Sequence, residues 1–169
     1  MACLITAGLT KESCQYLIGG VSNFYLANKQ DVINFVDSNS DGIYDSVVMG
    51  TSGTNKFYKF ETSKNTSNFT STLVVSGNNK YWSHTADVFV PRNDQDALDL
   101  IDKIGLGTFV VIVETRMGKK YILGMTNGME ATVAELNSGV AEGDSAGVHY
   151  TLVGAELGTI AQYTGTIPV

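Results

Sequence analysis

An acidic loop at residues 37–45 has the residue types and spacing best suited to chemistry, because it follows the pattern D-x-N-x-D-G-x-x-D. Oxygen ligands at alternate positions of such a loop converge on one hard cation, and the glycine allows the sharp turn between them. The acid that would complete an EF-hand is missing, since Val48 stands at that position. The same residue types also form tight turns without metal, so a plain hairpin turn is the alternative. The candidate calcium ligands are the side chains of Asp37, Asn39, Asp41 and Asp45 and the carbonyl of Ile43.

The histidines and serines of the chain offer little for catalysis. His84 and His149 are the only histidines, and they fall in different predicted strands, which leaves too few nitrogen or sulfur ligands for a zinc site. Ser83, His84 and Asp87 could form a triad on paper, but no nucleophile-elbow sequence accompanies them. The glycine-rich segment 139–147 lacks the Lys-Ser or Lys-Thr pair of a phosphate-binding loop. We therefore expect no enzyme, no catalytic residues and no cofactor apart from the candidate calcium ion.

The only tryptophan, Trp82, follows Tyr81 and precedes His84 by two residues. A carbohydrate-binding platform would use such a cluster for stacking. A role in the core or as an aromatic anchor in a subunit interface is the more common one for a single tryptophan.

The composition favours a folded protein whose surface is partly covered by neighbours. Charged residues make up 17% of the chain, below the globular average of about 25%, and obligate interfaces lose charged residues at their centres. A weakly charged monomer is the alternative. The net charge of −6 opposes nucleic-acid binding but suits a wall along which DNA passes without sticking. Cys3 and Cys14 are expected to be free thiols of a protein made in a reducing cytoplasm, and no apolar run is long enough to span a membrane.

Alternating segments predict β-strands along most of the chain, and one segment predicts a helix. Residues 93–105 offer Asn93 or Asp94 as N-cap and Gly105 as the C-terminal stop. Ala97, Leu98, Ile101 and Ile104 form the apolar stripe of this helix. Residues 108–115 are a continuous apolar run that predicts a central strand buried on both faces. The other predicted strands are residues 21–28, 31–36, 43–49, 56–62, 68–76, 81–90, 120–125, 129–136, 148–154 and 157–163.

These elements predict a mainly β fold, either a two-sheet β-sandwich or a flattened barrel, with one flanking α-helix at about residues 93–105. No repeat or linker divides the chain, so we expect a single domain over residues 1–169. In this prediction residues 1–20 form an N-terminal arm, and extended loops fall at about residues 37–68.

Three blocks of the sequence resemble structural proteins of tailed bacteriophages, namely tail-tube and tail-ring proteins. They are the hairpin around Asp41-Gly42, the block 108–124 with FVVIVE…GKKYILG, and the block 137–156 with the form NSG…GD..G…TL.G.E. The order of strands, a lone helix and further strands is similar as well. The resemblance implies a β-sandwich whose sheets join side by side around a ring, and rings that stack into a tube for DNA. It also implies contacts with neighbouring subunits through the arm at 1–20 and a loop at 39–53 or 62–68.

The expected function is that of a phage virion structural protein that self-assembles into a ring or tube of the tail. Edge strands support this expectation physically, since a monomer must hide their unpaired backbone groups whereas a ring uses them. The expected partners are copies of the chain and other tail or neck proteins, with passive DNA passage and no membrane. The expected location is the virion tail, after synthesis in the bacterial host cytoplasm. The alternative is a calcium-dependent β-sandwich module that binds a glycan or host surface through Trp82 and the acidic turn.

Overall fold

The computed structural model describes residues 5, 7–9, 18–50, 55–141 and 143–169. The predicted fold class is confirmed, because the described part of the chain is mainly β with one α-helix. In chain order the elements are β1 (Val21–Asn28), a 3₁₀ turn (Lys29–Asp31), β2 (Val32–Val36), β3 (Ile43–Tyr44), β4 (Ser46–Met49), β5 (Tyr58–Glu61), β6 (Asn68–Ser76), β7 (Asn79–Val90), α1 (Gln95–Leu106), β8 (Thr108–Thr115), β9 (Lys120–Leu123), β10 (Met129–Asn137), β11 (Gly147–Glu156) and β12 (Ala161–Tyr163).

Ten of the strands form one large sheet that folds into two layers around β8. The first layer has the order β5-β1-β8-β9-β12-β3, and its pairs are antiparallel except for β12 with β3. The second layer has the order β10-β11-β7-β6 and is antiparallel throughout. The layers join where Thr108 and Phe109 of β8 pair with β10. Strands β2 and β4 form a separate two-stranded sheet.

Two apolar cores lie on opposite faces of the first layer. One core lies between the two layers and includes Phe24, Val111 and Tyr150. The other includes Val110 and Ile112 and lies under the β2–β4 sheet and the C-terminal segment. Successive residues of β8 therefore point into different cores, and β8 is buried on both faces as predicted.

The helix begins where the sequence predicts but ends slightly later. Asp94 is the N-cap, and its carboxylate accepts a hydrogen bond from the backbone N–H of Ala97 at 3.1 Å. Leu98, predicted to lie in the buried stripe, is exposed. Gly105, predicted as the stop, lies inside the helix, and the chain leaves it at Gly107. A side chain at Gly107 would collide with the Phe109 ring, so packing at the start of β8 decides where the helix ends.

The acidic loop does connect a hairpin, with Val36 opposite Ser46. The predicted strand 43–49 is divided, because β3 leaves the hairpin and pairs in parallel with β12. Residues 37–68 contain the short strands β3, β4 and β5 as well as loops. Most of the N-terminal arm predicted at 1–20, including both cysteines, lies outside the described residues.

Candidate assembly edges

Strand β6 is the outermost strand of the second layer and has a free edge along its whole length. It pairs with β7 over all nine of its residues, from Asn68 opposite Asp87 to Ser76 opposite Asn79. Among the described residues no strand pairs with its other edge. Monomeric proteins protect such edges with charged residues, proline or bulges, and β6 has no charged residue and no proline. Its backbone donors and acceptors are therefore available to another strand.

At the opposite side of the same layer, strand β10 has an edge with no strand partner among the described residues over most of its length. Only its first two residues pair with β8, and residues 131–137 pair with β11 alone in the part of the chain described. Helix α1 packs beside β10, yet every residue from Thr132 to Asn137 stays exposed. The second layer is thus a four-stranded antiparallel sheet, and in the described part of the chain each of its two outer strands has a second edge with no strand partner over most or all of its length.

Among the described residues, the outer face of this layer carries acidic side chains but no Lys or Arg. Opposite residues in the ladder share a face, so Thr70 lies beside Thr85 on the outer face while Phe69 lies beside Ala86 on the core side. This confirms the alternation predicted for residues 68–76. The acidic residues that the registers place on the outer face are Asp87, Glu130 and Glu135, and His149 lies on the same face. Lys80 of β7 lies on the opposite face, beside Val75.

His149 links three strands across this face. Its Nε2 lies 3.2 Å from Oδ1 of Asp87 on β7, and its Nδ1 lies 3.2 Å from Oε1 of Glu135 on β10. Thr151 donates its hydroxyl to the same Asp87 oxygen at 2.6 Å. The Thr151 hydroxyl is bonded to the carboxylate and not to the imidazole, so the group lacks the nucleophile–base contact of a triad. The arrangement instead fixes β10, β11 and β7 to one another.

His84 lies on the core side of β7, where both of its ring nitrogens contact backbone groups. Its Nδ1 accepts the backbone N–H of Gly124 at 3.4 Å, and its Nε2 lies 3.1 Å from the carbonyl oxygen of Gly158. A neutral ring with the proton on Nε2 satisfies both contacts. Burial lowers the pKa of His84, and the negative charge of Glu156 partly opposes this effect. Ser83 and Asp87 point to the opposite face of β7, so the triad that could be written from the sequence is not assembled.

Glu156 and Trp82 lie opposite each other on the core side of β11 and β7. The buried carboxylate of Glu156 accepts the backbone N–H groups of Thr126 and Asn127 at 3.0 and 2.8 Å, which holds the turn before β10. Beyond Trp82 the β6–β7 hairpin extends past the core, and Leu73 is 47% exposed. Trp82 therefore lies where the packed core gives way to an uncovered apolar surface.

The carboxylates of the candidate calcium ligands accept hydrogen bonds from backbone N–H groups of the same loop. Asp37 accepts the backbone N–H groups of Gly42 at 2.8 Å and Asp41 at 3.3 Å, and Asp41 accepts that of Ile43 at 2.9 Å. Asp45 accepts the N–H of Ser38 at 3.2 Å. Hydrogen bonding from the Ser38 side chain, with a smaller contribution from this backbone N–H, lowers the pKa of Asp45. Asn39 lies exposed at the tip of the loop. Within the described ranges no three His, Cys, Asp or Glu side chains lie close enough to hold a metal ion. The calcium site therefore stays a prediction.

The sequence alone indicates only part of what defines the edges of β6 and β10. The absence of charge from residues 68–76 is visible in the sequence, whereas the free edge of β10 depends on where β8 stops pairing with it. The His149 contacts depend on the β7–β11–β10 register and have no local sequence signal.

None of the helices described is long and apolar enough to cross a membrane. Comparison of the chain with protein-family models, curated proteins and solved structures found no match.

Proposed function

We propose that this chain is a structural protein of a phage virion that assembles with copies of itself into a ring or tube of the tail, through which DNA passes. Its partners are identical subunits and other tail or neck proteins, and its place is the virion tail after synthesis in the host cytoplasm. The proposal draws on the resemblance of three sequence blocks to tail-tube and tail-ring proteins and on the geometry of the second layer.

The observation that carries the proposal is the pair of free edges on one four-stranded sheet. Neighbouring strands in this sheet alternate in direction, so β6 and β10 run in opposite directions. When β6 of one copy meets β10 of the next, the new pair is antiparallel, like every other pair in the layer. The two edges are different surfaces, and a head-to-tail contact of this kind closes into a ring when the rotation permits.

The outer face of the second layer supports passage of DNA. In a closed ring the polar, acidic face made by Asp87, Glu130 and Glu135 suits the channel side. DNA carries a negative charge about every 1.7 Å along its axis, so a surface without Lys or Arg gives it no attachment points. Such a wall allows movement of DNA without specific binding.

The proposed β6–β10 junction is tested by placing charges of opposite sign on β6 in two variants. Thr70 and Thr72 are exposed on the outer face, the face on which Glu130 and Glu135 of β10 lie. We expect Thr70→Glu/Thr72→Glu to abolish assembly, because like charges on adjacent strands repel. The matched control is Thr70→Lys/Thr72→Lys, which places opposite charges there and should retain assembly.

Light scattering and negative-stain electron microscopy measure the outcome. Wild-type protein and the lysine variant should form rings or tubes, and the glutamate variant should stay monomeric with unchanged thermal stability. A wild-type chain that remains monomeric at high concentration would count against the proposed function. Unchanged assembly in both charge variants would place the junction elsewhere, and equal loss in both would show that the acidic residues of β10 do not lie beside β6.

A further inference from the structure

A groove lies away from the two proposed assembly edges, at the side of the molecule where the layers do not meet. It has a volume of about 750 Å³ and separates β5 in the first layer from α1 and the ends of β7 and β11. In the described part of the chain no strand pairs with the outer edge of β5, so the sheet does not continue across the groove. Small-molecule sites usually have volumes of about 300–1,000 Å³, and the groove falls within this range.

Apolar side chains form the helix wall and the base of the groove. Ala97, Leu100 and Ile104 recur at helical spacing along the wall made by α1. Leu26 and Phe109 are buried and contribute to the base. A surface of this kind favours an apolar ligand, because covering it removes apolar area from water.

The charged side chains of the groove lie at its exposed rim and are largely paired with one another. Lys59 binds Glu61 at 2.7 Å, and both belong to β5. Arg92 lies 3.2 Å from Asp96. Lys103 is exposed and forms no ion pair among the described residues. None of the buried lining residues described is charged, so the interior offers no counter-ion to a charged ligand.

A buried hydroxyl without a partner belongs to the lining of the groove. Tyr150 is 1% exposed and packs edge-to-face on Phe60 of β5, and both residues line the groove. In the part of the chain that the structure describes, the Tyr150 hydroxyl has no hydrogen-bond partner. Burial raises the pKa of Tyr150 to about 12, so the hydroxyl keeps its proton and is a donor at neutral pH. Because buried polar groups are normally satisfied, this donor indicates a place for an acceptor atom.

We infer that the groove binds a small, uncharged and mostly apolar molecule that carries one hydrogen-bond acceptor, such as a ketone or ester oxygen. Its apolar part lies against the helix wall, and its oxygen accepts the Tyr150 hydroxyl. Phe60 is partly exposed beside Tyr150, and a small shift of its ring gives the oxygen access. A neutral acceptor suits this position better than a carboxylate, since an ion buried without a counter-ion costs far more free energy. The inference does not depend on the proposed self-assembly.

Calorimetric titration with 2-nonanone tests the inference, and nonanoate is the matched anionic probe with the same number of carbons. We expect 2-nonanone to bind wild-type protein saturably and to raise its Tm by mass action. Nonanoate should bind at least about tenfold more weakly, because its carboxylate loses hydration without gaining a buried counter-ion. Tyr150→Phe should weaken 2-nonanone binding about fivefold, because it removes one neutral hydrogen bond. The same change should not lower the Tm of the free protein, because the hydroxyl that it removes has no partner.

Two tryptophan variants of α1 test the location of the site. Leu98 and Leu100 are both 36% exposed, but only Leu100 lines the groove. Leu100→Trp fills part of the groove and should abolish binding of 2-nonanone. Leu98→Trp is the matched control and should leave the affinity unchanged.

Several results would overturn the inference. They are the absence of saturable 2-nonanone binding to wild type, an equal affinity of wild type and Tyr150→Phe, and equal losses in the two tryptophan variants. A lower Tm of free Tyr150→Phe would also overturn it, since the hydroxyl would then already have a partner within the chain. Nonanoate binding that is tighter than 2-nonanone binding and is lost in Lys103→Gln would contradict the choice of a neutral ligand. The variant Thr70→Glu/Thr72→Glu separates the two proposals, because it should bind 2-nonanone with wild-type affinity whether or not it assembles.

Discussion

At the scale of single residues, the two histidines have contrasting surroundings. His84 is buried between two backbone groups that a neutral ring satisfies, whereas both ring nitrogens of His149 lie beside carboxylates on the outer face. The chemistry of each ring follows from its neighbours in the sheet and could not be assigned from spacing along the chain. Neither arrangement resembles a catalytic group, because no nucleophile contacts either imidazole among the residues described.

The lowered pKa of His84 predicts a loss of stability in acid. The unfolded chain takes up a proton near pH 6.5, whereas the folded chain does so only at lower pH. The stabilisation is therefore complete above about pH 6.5 and declines as the pH falls, with a slope of up to about 1.4 kcal/mol per pH unit. Urea unfolding between pH 7.5 and 5 measures this slope.

The matching variants separate His84 from the rest of the protein. His84→Gln should have a lower stability at pH 7.5 but a smaller decline toward pH 5, since glutamine does not titrate. His149→Gln should keep the decline that His84 causes. An identical decline in wild type and His84→Gln would contradict the assignment.

At the scale of elements, the sequence predicts what is local and misses what depends on distant pairing. The strand 108–115 and the helix cap at Asp94 are recognisable because an apolar run and a capping side chain are local signals. The pairing of β3 with β12 joins residues more than a hundred positions apart, and no local pattern indicates it. The free edge of β5 escapes prediction for the same reason, because an edge is defined by the strands that are not beside it.

The acidic loop between β2 and β4 allows a test that distinguishes a turn from a calcium site. Asp37 accepts two backbone N–H groups of the loop, so Asp37→Ala should lower the free energy of unfolding by about 1 kcal/mol. We expect this loss with or without calcium, and no rise in the Tm of wild-type protein when calcium is added. Calorimetry with and without calcium measures both.

A calcium site would behave differently. Calcium would then raise the Tm of wild type by mass action, and Asp37→Ala and Asp41→Ala would each remove the rise. That result would restore the prediction made for residues 37–45 and favour the alternative of a calcium-dependent binding module. Ser40→Ala, at a loop position without a ligand role, is the control.

At the scale of the whole molecule, the two layers expose different features. The second layer has free edges and an acidic outer face, while the first layer carries the groove beside β5. In the proposed assembly the junctions and the channel wall therefore belong to one layer.

The acidic face of the second layer predicts that assembled particles do not bind duplex DNA. Wild-type particles should not retain duplex DNA in a filter-binding assay at low salt, because the described residues of the proposed channel face include no Lys or Arg. Ser83→Lys/Thr85→Lys places two lysines per chain on that face and should cause retention that weakens steeply with salt. Leu98→Lys/Leu106→Lys, on the exposed side of α1, is the control and should retain less. Retention by wild-type particles at physiological salt would exclude a passive wall.

The even number of strands in the second layer has a consequence for the size of a ring. In each copy two strands of this layer run in one direction and two in the other. Every proposed β6–β10 junction is therefore antiparallel, whether the ring has an even or an odd number of subunits. Diameter is then governed by the bend between successive copies. The register shift between Ala131 and Val133 interrupts the β10–β11 ladder and lies in the strand of the proposed junction. Such an irregularity increases the local twist of a strand. Removal of that irregularity would be expected to change the circumference and not the ability to close.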